Sequence, residues 1–169
     1  DSAQNIRKLF GLESVVFTDA VKLITLDSDK ESAPDSVLIC PIYEKAYARY
    51  AGETPLSASR DDFLRYCLRR LAESDCDEIT IANADPSDLS EAEFVHAALE
   101  NSLPGNKLRL LKNLNLDSFI ALNPRMVITG RMHAGIMFEH CAEKVHYYPF
   151  SEKLVAAARQ GRMKDKGRI

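Results

Sequence analysis

Residues 37–43, Val-Leu-Ile-Cys-Pro-Ile-Tyr, and residues 126–129, Met-Val-Ile-Thr, are apolar runs with no polar alternation. A strand with one face in water alternates, whereas a strand covered on both faces reads as an unbroken apolar stretch. Both runs therefore read as inner strands of a parallel sheet, with Pro41 near the end of the first. Glu78–Ala82 (EITIA), Lys107–Leu111 and Lys144–Tyr148 read as further strands. Between them lie helical patterns. Arg60–Glu73 puts Phe63, Leu64, Cys67, Leu68 and Leu71 on one face, with Ser59 and Asp61 as candidate caps. Ser90–Glu100 opens with Ser90 and has Glu93 three residues on, the pattern of a capping box. Asn115–Leu122, His133–Cys141 and Ser151–Arg159 complete the set, and Leu103–Asn106 is a turn. Asp85 and Asp88 read as a turn residue and a helix cap. Before the first inner strand, Ser2–Phe10 reads as a helix closed by Gly11, Ser14–Phe17 as a strand, and Ser28–Asp35 as a charged loop. Asp19–Leu26 fits either a helix or extended chain.

Strand then helix, repeated, implies parallel strands joined by right-handed crossovers. The expected fold is α/β, an open, doubly wound, mostly parallel Rossmann-like sheet over residues 1–159, followed by a basic tail at 160–169. Ligands of such sheets bind outside the carboxyl ends of the strands. That edge takes in Tyr43–Lys45, Asn83–Asp85, Thr129–His133 and Pro149–Lys153. Tyr43, Tyr47 and Tyr50, with Glu44, Lys45 and Arg49, either contact a sugar there or open an amphipathic helix.

Composition narrows the function. Twenty-two basic against 25 acidic residues give a net charge of −3, so no basic excess exists to release phosphate counterions, and no nucleic-acid partner is expected. No apolar run approaches the roughly 18 residues of a membrane span. Cys40, Cys67, Cys76 and Cys141 form no C-x-x-C pair, and His133 and His140 are seven apart rather than four. No metal site is expected, and the thiols read as reduced residues of a cytoplasmic protein. Neither a P-loop nor a dinucleotide fingerprint occurs. The chain opens at Asp1 rather than at Met, and at 169 residues it reads as a piece of a longer protein.

The stretch that carries chemistry is residues 126–138, MVITGRMHAGIMF. An inner strand runs into Thr129-Gly130-Arg131-Met132-His133, where a helix begins. Gly130 permits a tight turn and close approach of a ligand. Backbone N–H groups of a helix start favour an anion. Arg131 adds a planar fork matched to carboxylate or phosphate, and His133 an imidazole that can donate to an anion or move a proton. Arg131 could equally pair with a neighbouring carboxylate, and His133 could cap the helix.

These residues resemble the signature of the polysaccharide pyruvyl transferase family, approximately V-I-S/T-G-R-L/M-H-A. The likeness continues through the strand after the helix to Val145–Lys153, and upstream through Asp1-Ser2, Asn5–Gly11 and Val16–Ala20, which are similar to the region opening the second half of those enzymes. The resemblance implies one half of a GT-B-like enzyme, two Rossmann-like domains facing a cleft. The implied reaction transfers the enolpyruvyl group of phosphoenolpyruvate to two hydroxyls of a sugar, giving a pyruvate ketal in exopolysaccharide or cell-surface glycan synthesis. It implies Arg131 and His133 as catalytic residues. Thr129, Gly130, Arg131, Met132, His133, Ser151 and Lys153 would contact substrate. It also implies no cofactor beyond the donor, a saccharide or lipid-linked saccharide acceptor, and an amino-terminal domain of the same chain. The implied location is the cytoplasm, with a peripheral place at the inner membrane face. Two other readings compete. One is a nucleotide-sugar glycosyltransferase of the GT-B class, many retaining members of which carry two glutamates eight positions apart; no such pair is found in this stretch. The other is a non-catalytic domain of the same fold, since Ala142 and Lys144 stand where the family has glycine and proline, and Phe150 where it commonly has tyrosine.

Overall fold

The strand and helix patterns assemble, in a computed structural model, into a sheet of five parallel strands with helices on both faces. The structure describes residues 33–50, 59–114, 116–139 and 141–165. The expected elements at Ser2–Gly11, Ser14–Phe17 and Asp19–Leu26 lie outside the described residues, as does the end of the basic tail.

Chain order runs β1 (Ala33–Cys40), α1 (Glu44–Arg49), α2 (Arg60–Ala72), β2 (Glu78–Ala82), a 3-10 turn (Pro86–Asp88) and α3 (Leu89–Ser102). It continues with β3 (Lys107–Leu111), α4 (Leu116–Ile120), β4 (Pro124–Thr129), α5 (Met132–Phe138), β5 (Lys144–Tyr147) and α6 (Glu152–Asp165). The strands lie in the order β3-β2-β1-β4-β5, all parallel. This is the doubly wound arrangement: the chain winds outward from β1 to β3, then returns across the sheet to β4 and winds the other way. The strand order reverses between β1 and β4, the position at which sheets of this kind take their ligands.

Both faces of the inner strands are covered, which explains their unbroken apolar runs. Val37 and Ile39 face α1, α2, α3 and α6 with Phe63, Cys67, Ile79, Ile81, Val95, Ile128 and Leu154. Leu38 and Cys40 face α4 and α5 with Val127, Phe119, Ala134 and Phe138. Val37 through Cys40 and Val127 through Thr129 are at most 1% exposed, so neither strand has a wet side.

Several boundaries differ from expectation. The first inner strand begins at Ala33, inside the stretch read as a loop; its pairing with β4 is irregular between Ala33 and Val37, where Pro34 has no N–H to give to the ladder. β4 starts at Pro124, since a proline is tolerated as the first residue of a strand, and Asn123 before it takes a left-handed φ of 39°. α5 is shorter than read, ending at Phe138, and α6 is longer, continuing to Asp165 through residues read as tail. Polar composition does not stop a helix when the residues themselves are good helix formers. α2 matches its sequence reading closely, and Ser59 caps it by accepting the Asp62 N–H at 3.1 Å. The capping box at Ser90 does not form. α3 begins at Leu89, and the Glu93 carboxylate pairs with Lys112 at 2.6 Å.

Candidate functional site

At their carboxyl ends β1 and β4 stay joined by backbone. Gly130 follows β4 directly, and its N–H donates to the Cys40 carbonyl at 2.9 Å, carrying the parallel pairing one residue past the strand. A Cβ on Gly130 would stand 2.9 Å from Ile42 Cγ2, so only glycine lets the two loops approach this closely. The turn is held by Thr129. Its hydroxyl accepts the Arg131 N–H at 2.8 Å and reaches the carbonyls of Arg131 (3.0 Å) and Cys40 (3.2 Å). Thr129 is fully buried, and its hydroxyl braces the turn.

That bracing aims Arg131 over the end of β1. Its Nε donates to Asp88 Oδ2 at 2.9 Å and its Nη2 to Asp88 Oδ1 at 2.6 Å, a bidentate pair along one edge of the guanidinium. Asp88 comes from the end of the 3-10 turn after β2, has no solvent exposure, and also accepts the Tyr43 N–H at 2.9 Å. Three loops of the carboxyl edge are therefore tied through one carboxylate: Tyr43 after β1, Asp88 after β2 and Arg131 after β4. The Tyr43 ring lies beneath the guanidinium, with Arg131 Cζ 5.4 Å from its centroid. Nη2 makes a further 3.3 Å contact to Ser87 Oγ and lies 4.0 Å from Asp85 Oδ1. Nη1 takes no hydrogen bond among the described residues.

This corrects one expectation: Asp88 does not cap α3 with its side chain; the carboxylate is spent on Arg131 and Tyr43. Of the two readings open for Arg131, the structure shows the pairing with a neighbouring carboxylate, which fills one bidentate edge of the guanidinium from within. The reading of Asp85 as a turn residue holds: its Oδ1 accepts from Ser87 N–H at 2.9 Å and Oγ at 2.6 Å.

Electrostatics follow from burial. Burial pushes the Asp88 carboxyl above the usual range, against the hydrogen bonds and charge of Arg131, which act to lower it. Burial also disfavours the charge on Arg131, but the hydrogen bonds and charge of Asp88 outweigh it and its pKa rises. Asp85 is half exposed, and the hydrogen bonds from Ser87 hold its carboxyl below the ordinary value. One turn along α3, the buried Glu91 carboxylate pairs with Arg60 Nη2 at 2.6 Å, and that guanidinium rests over the Phe94 ring at 4.1 Å. Two ion pairs thus stand in succession on the first turn of α3.

The remaining candidates sit as follows. Met132 is half buried against the larger core cluster, and His133 is exposed, second in α5. Ser151 is buried before α6, its carbonyl accepting the Val155 N–H at 3.0 Å. Lys153 is exposed in the first turn of α6, and no hydrogen bond or ion pair joins it to Arg131 among the described residues. The contiguous residues Thr129–His133 are brought together by the chain itself. Ser151 and Lys153 share the carboxyl edge with them, after the neighbouring strand β5. Asp88 was read from the sequence as a helix cap, and its pairing with Arg131 was missed; the sign was two loops at one sheet edge, one offering a carboxylate and the other an arginine.

Compared with known proteins, the chain matches no family model, no curated protein and no solved structure. No helix among the described residues is long and apolar enough to cross a membrane.

Proposed function

We propose that this edge is the donor site of a polysaccharide pyruvyl transferase domain, which works against a second Rossmann-like domain in a GT-B-like pair. The observation that carries the reading is the pairing of a braced arginine with an exposed histidine two residues on. Arg131 is held at the sheet's switch point with Nη1 left for a ligand, and His133 stands beside it at the start of α5. Phosphoenolpyruvate is a small anion carrying a carboxylate and a phosphate. Arg131 and His133 are its partners in this reading, and Lys153 adds a charge from the next strand end.

The chemistry asks for a proton on the vinyl carbon, which leaves a cationic centre at C2. One sugar hydroxyl attacks that centre and gives up its proton. Phosphate leaves with the electron pair of its C–O bond, and the second hydroxyl attacks C2 and closes the ketal, its proton passing to the departing phosphate. His133 is the proton donor of the first step, and the fixed guanidinium holds an anionic group of the donor in place.

Titrating the chain with phosphoenolpyruvate, and in parallel with UDP- and CMP-sugars, tests the donor class. Saturable binding of phosphoenolpyruvate alone is the expected result. Arg131→Lys is expected to weaken that binding at least about tenfold, because lysine cannot make both the Asp88 pair and a ligand contact. Donor affinity within twofold of wild type in that variant counts against the assignment. His133→Asn is expected to leave donor affinity within about threefold and to cut phosphate release in the two-domain enzyme at least about a hundredfold. Wild-type turnover there removes His133 from the acid role.

One observation favours a second reading, a non-catalytic domain of the same fold: the Nε–Nη2 edge of Arg131 is already filled by Asp88. A domain whose melting temperature ignores phosphoenolpyruvate and phosphate alike fits that reading.

A further inference from the structure

Arg131 has one positive charge and two carboxylates around it. Asp88 fills the Nε–Nη2 edge, and Asp85 stands 4.0 Å from Nη2 with half its side chain in solvent. Asp88 cannot yield its place cheaply, because it is fully buried and losing Arg131 would leave it an unpaired charge in the interior. Ser87 Oγ takes the outer side of Nη2 and is itself bonded to Asp85 Oδ1 at 2.6 Å. What a ligand meets at this arginine is therefore Nη1, and the guanidinium with its two carboxylates sums to one negative charge.

We propose that Asp88 and Asp85 set the ligand class of this seat. They act through Arg131 as positioning residues, so that it reads a single oxygen of a monoanionic carboxylate and turns away a dianionic phosphate. Resting on the pyruvyl-transfer reading, this fixes the polarity of the donor: the carboxylate lies against Arg131 and the phosphate points away from it. The physical reason is charge. Repulsion from a fixed carboxylate scales with the charge of the incoming group, so a phosphate dianion feels twice the opposition that a carboxylate does. A bidentate fork could offset this for phosphate, but that edge of Arg131 is occupied.

Asp85→Asn tests it without threatening the fold. The residue is half exposed, and asparagine keeps an oxygen to accept from Ser87. Pyruvate is titrated into the chain by calorimetry at pH 8 and low salt, with and without inorganic phosphate. In the wild-type chain, pyruvate should bind with an affinity that phosphate changes less than twofold. In Asp85→Asn, pyruvate should tighten about threefold and phosphate should gain about tenfold at the seat, the effect of removing one charge at ~6 Å through water, so that phosphate now competes with pyruvate. A purely structural role for Asp85 would move neither the affinity nor the competition. Phosphate displacing pyruvate from the wild-type chain overturns the inference, as does unchanged pyruvate affinity in Asp85→Asn. If phosphoenolpyruvate binds but Asp85→Asn changes neither pyruvate affinity nor phosphate competition, only the polarity falls. If the wild-type chain binds neither pyruvate nor phosphoenolpyruvate, the pyruvyl-transfer reading falls with it.

Discussion

Replacing Gly135 by alanine is expected to destabilise the domain by about 3 kcal/mol, the upper end of the range for overpacking a well-filled core. Alanine normally improves a helix interior over glycine by up to about 1 kcal/mol. Here the sign reverses, because a Cβ at Gly135 would stand 2.2 Å from Tyr147 Cε1 and 2.5 Å from its Cζ. The ring cannot step aside. Tyr147 is 2% exposed, its hydroxyl donates to Glu139 at 2.8 Å, and its carbonyl accepts from the Tyr66 hydroxyl at 3.1 Å. For a domain of this size that loss lowers the melting temperature by roughly 6–12 °C. Tyr147→Leu removes the clashing atoms, so in the Gly135→Ala background it should recover a good part of the loss, although alone it destabilises. Additive effects of the two substitutions in urea melts would show that the contact does not control the site. Since Gly135 sits one turn after Arg131 in α5, the same contact holds the helix that carries His133 against β5.

Arg131→Met is expected to cost about 3 kcal/mol at neutral pH, because removing one partner leaves Asp88 charged, buried and unpaired. Asp88→Asn should cost less: its oxygen still accepts the Tyr43 N–H, and Arg131, a quarter exposed, can turn toward water. The pH dependence separates this cause from simple loss of packing. Burial already raises the Asp88 carboxyl above its ordinary value, and Arg131 is what holds it down. Without Arg131 the folded-state pKa climbs further, while the unfolded value stays near that of a free aspartate. The folded variant therefore takes up a proton before the unfolded chain does as pH falls, and the penalty present at high pH is relieved. Urea melts at pH 8 and pH 5 should show the gap between variant and wild type narrowing at the lower pH. A gap of equal size at both values would mean that the lost stability came from packing against Tyr43, not from the stranded carboxylate.

The inner strands were legible because burial on both faces removes the polar alternation, and that signal is local. Helix α2 was legible for a similar reason, its apolar residues recurring at helical spacing behind a serine that does cap it. The ends were not. Pro124 and Ala33 extend their strands into stretches that composition alone assigns to loops, because pairing with a neighbour, not residue preference, decides where a ladder starts. Glu93 looked like half of a capping box but found Lys112 across the layer, a partner 19 residues away.

At the site the division is sharper. The motif Thr129–His133 already placed an arginine and a histidine where a strand gives way to a helix, because that order is written along the chain. The sequence by itself thus determined the layered α/β plan, the edge at which to look and the residues that stand there. Only the tertiary structure decided what Arg131 does with its edges. Asp88 lies 43 residues away on the far side of β1, and it becomes a partner only when the strand order sets the loop after β2 across the end of β1 from the loop after β4. Charge acts through space at a few ångströms, whereas sequence patterns report only near neighbours. The partners of Arg131 therefore follow from the packing of three loops, and no single segment contains them.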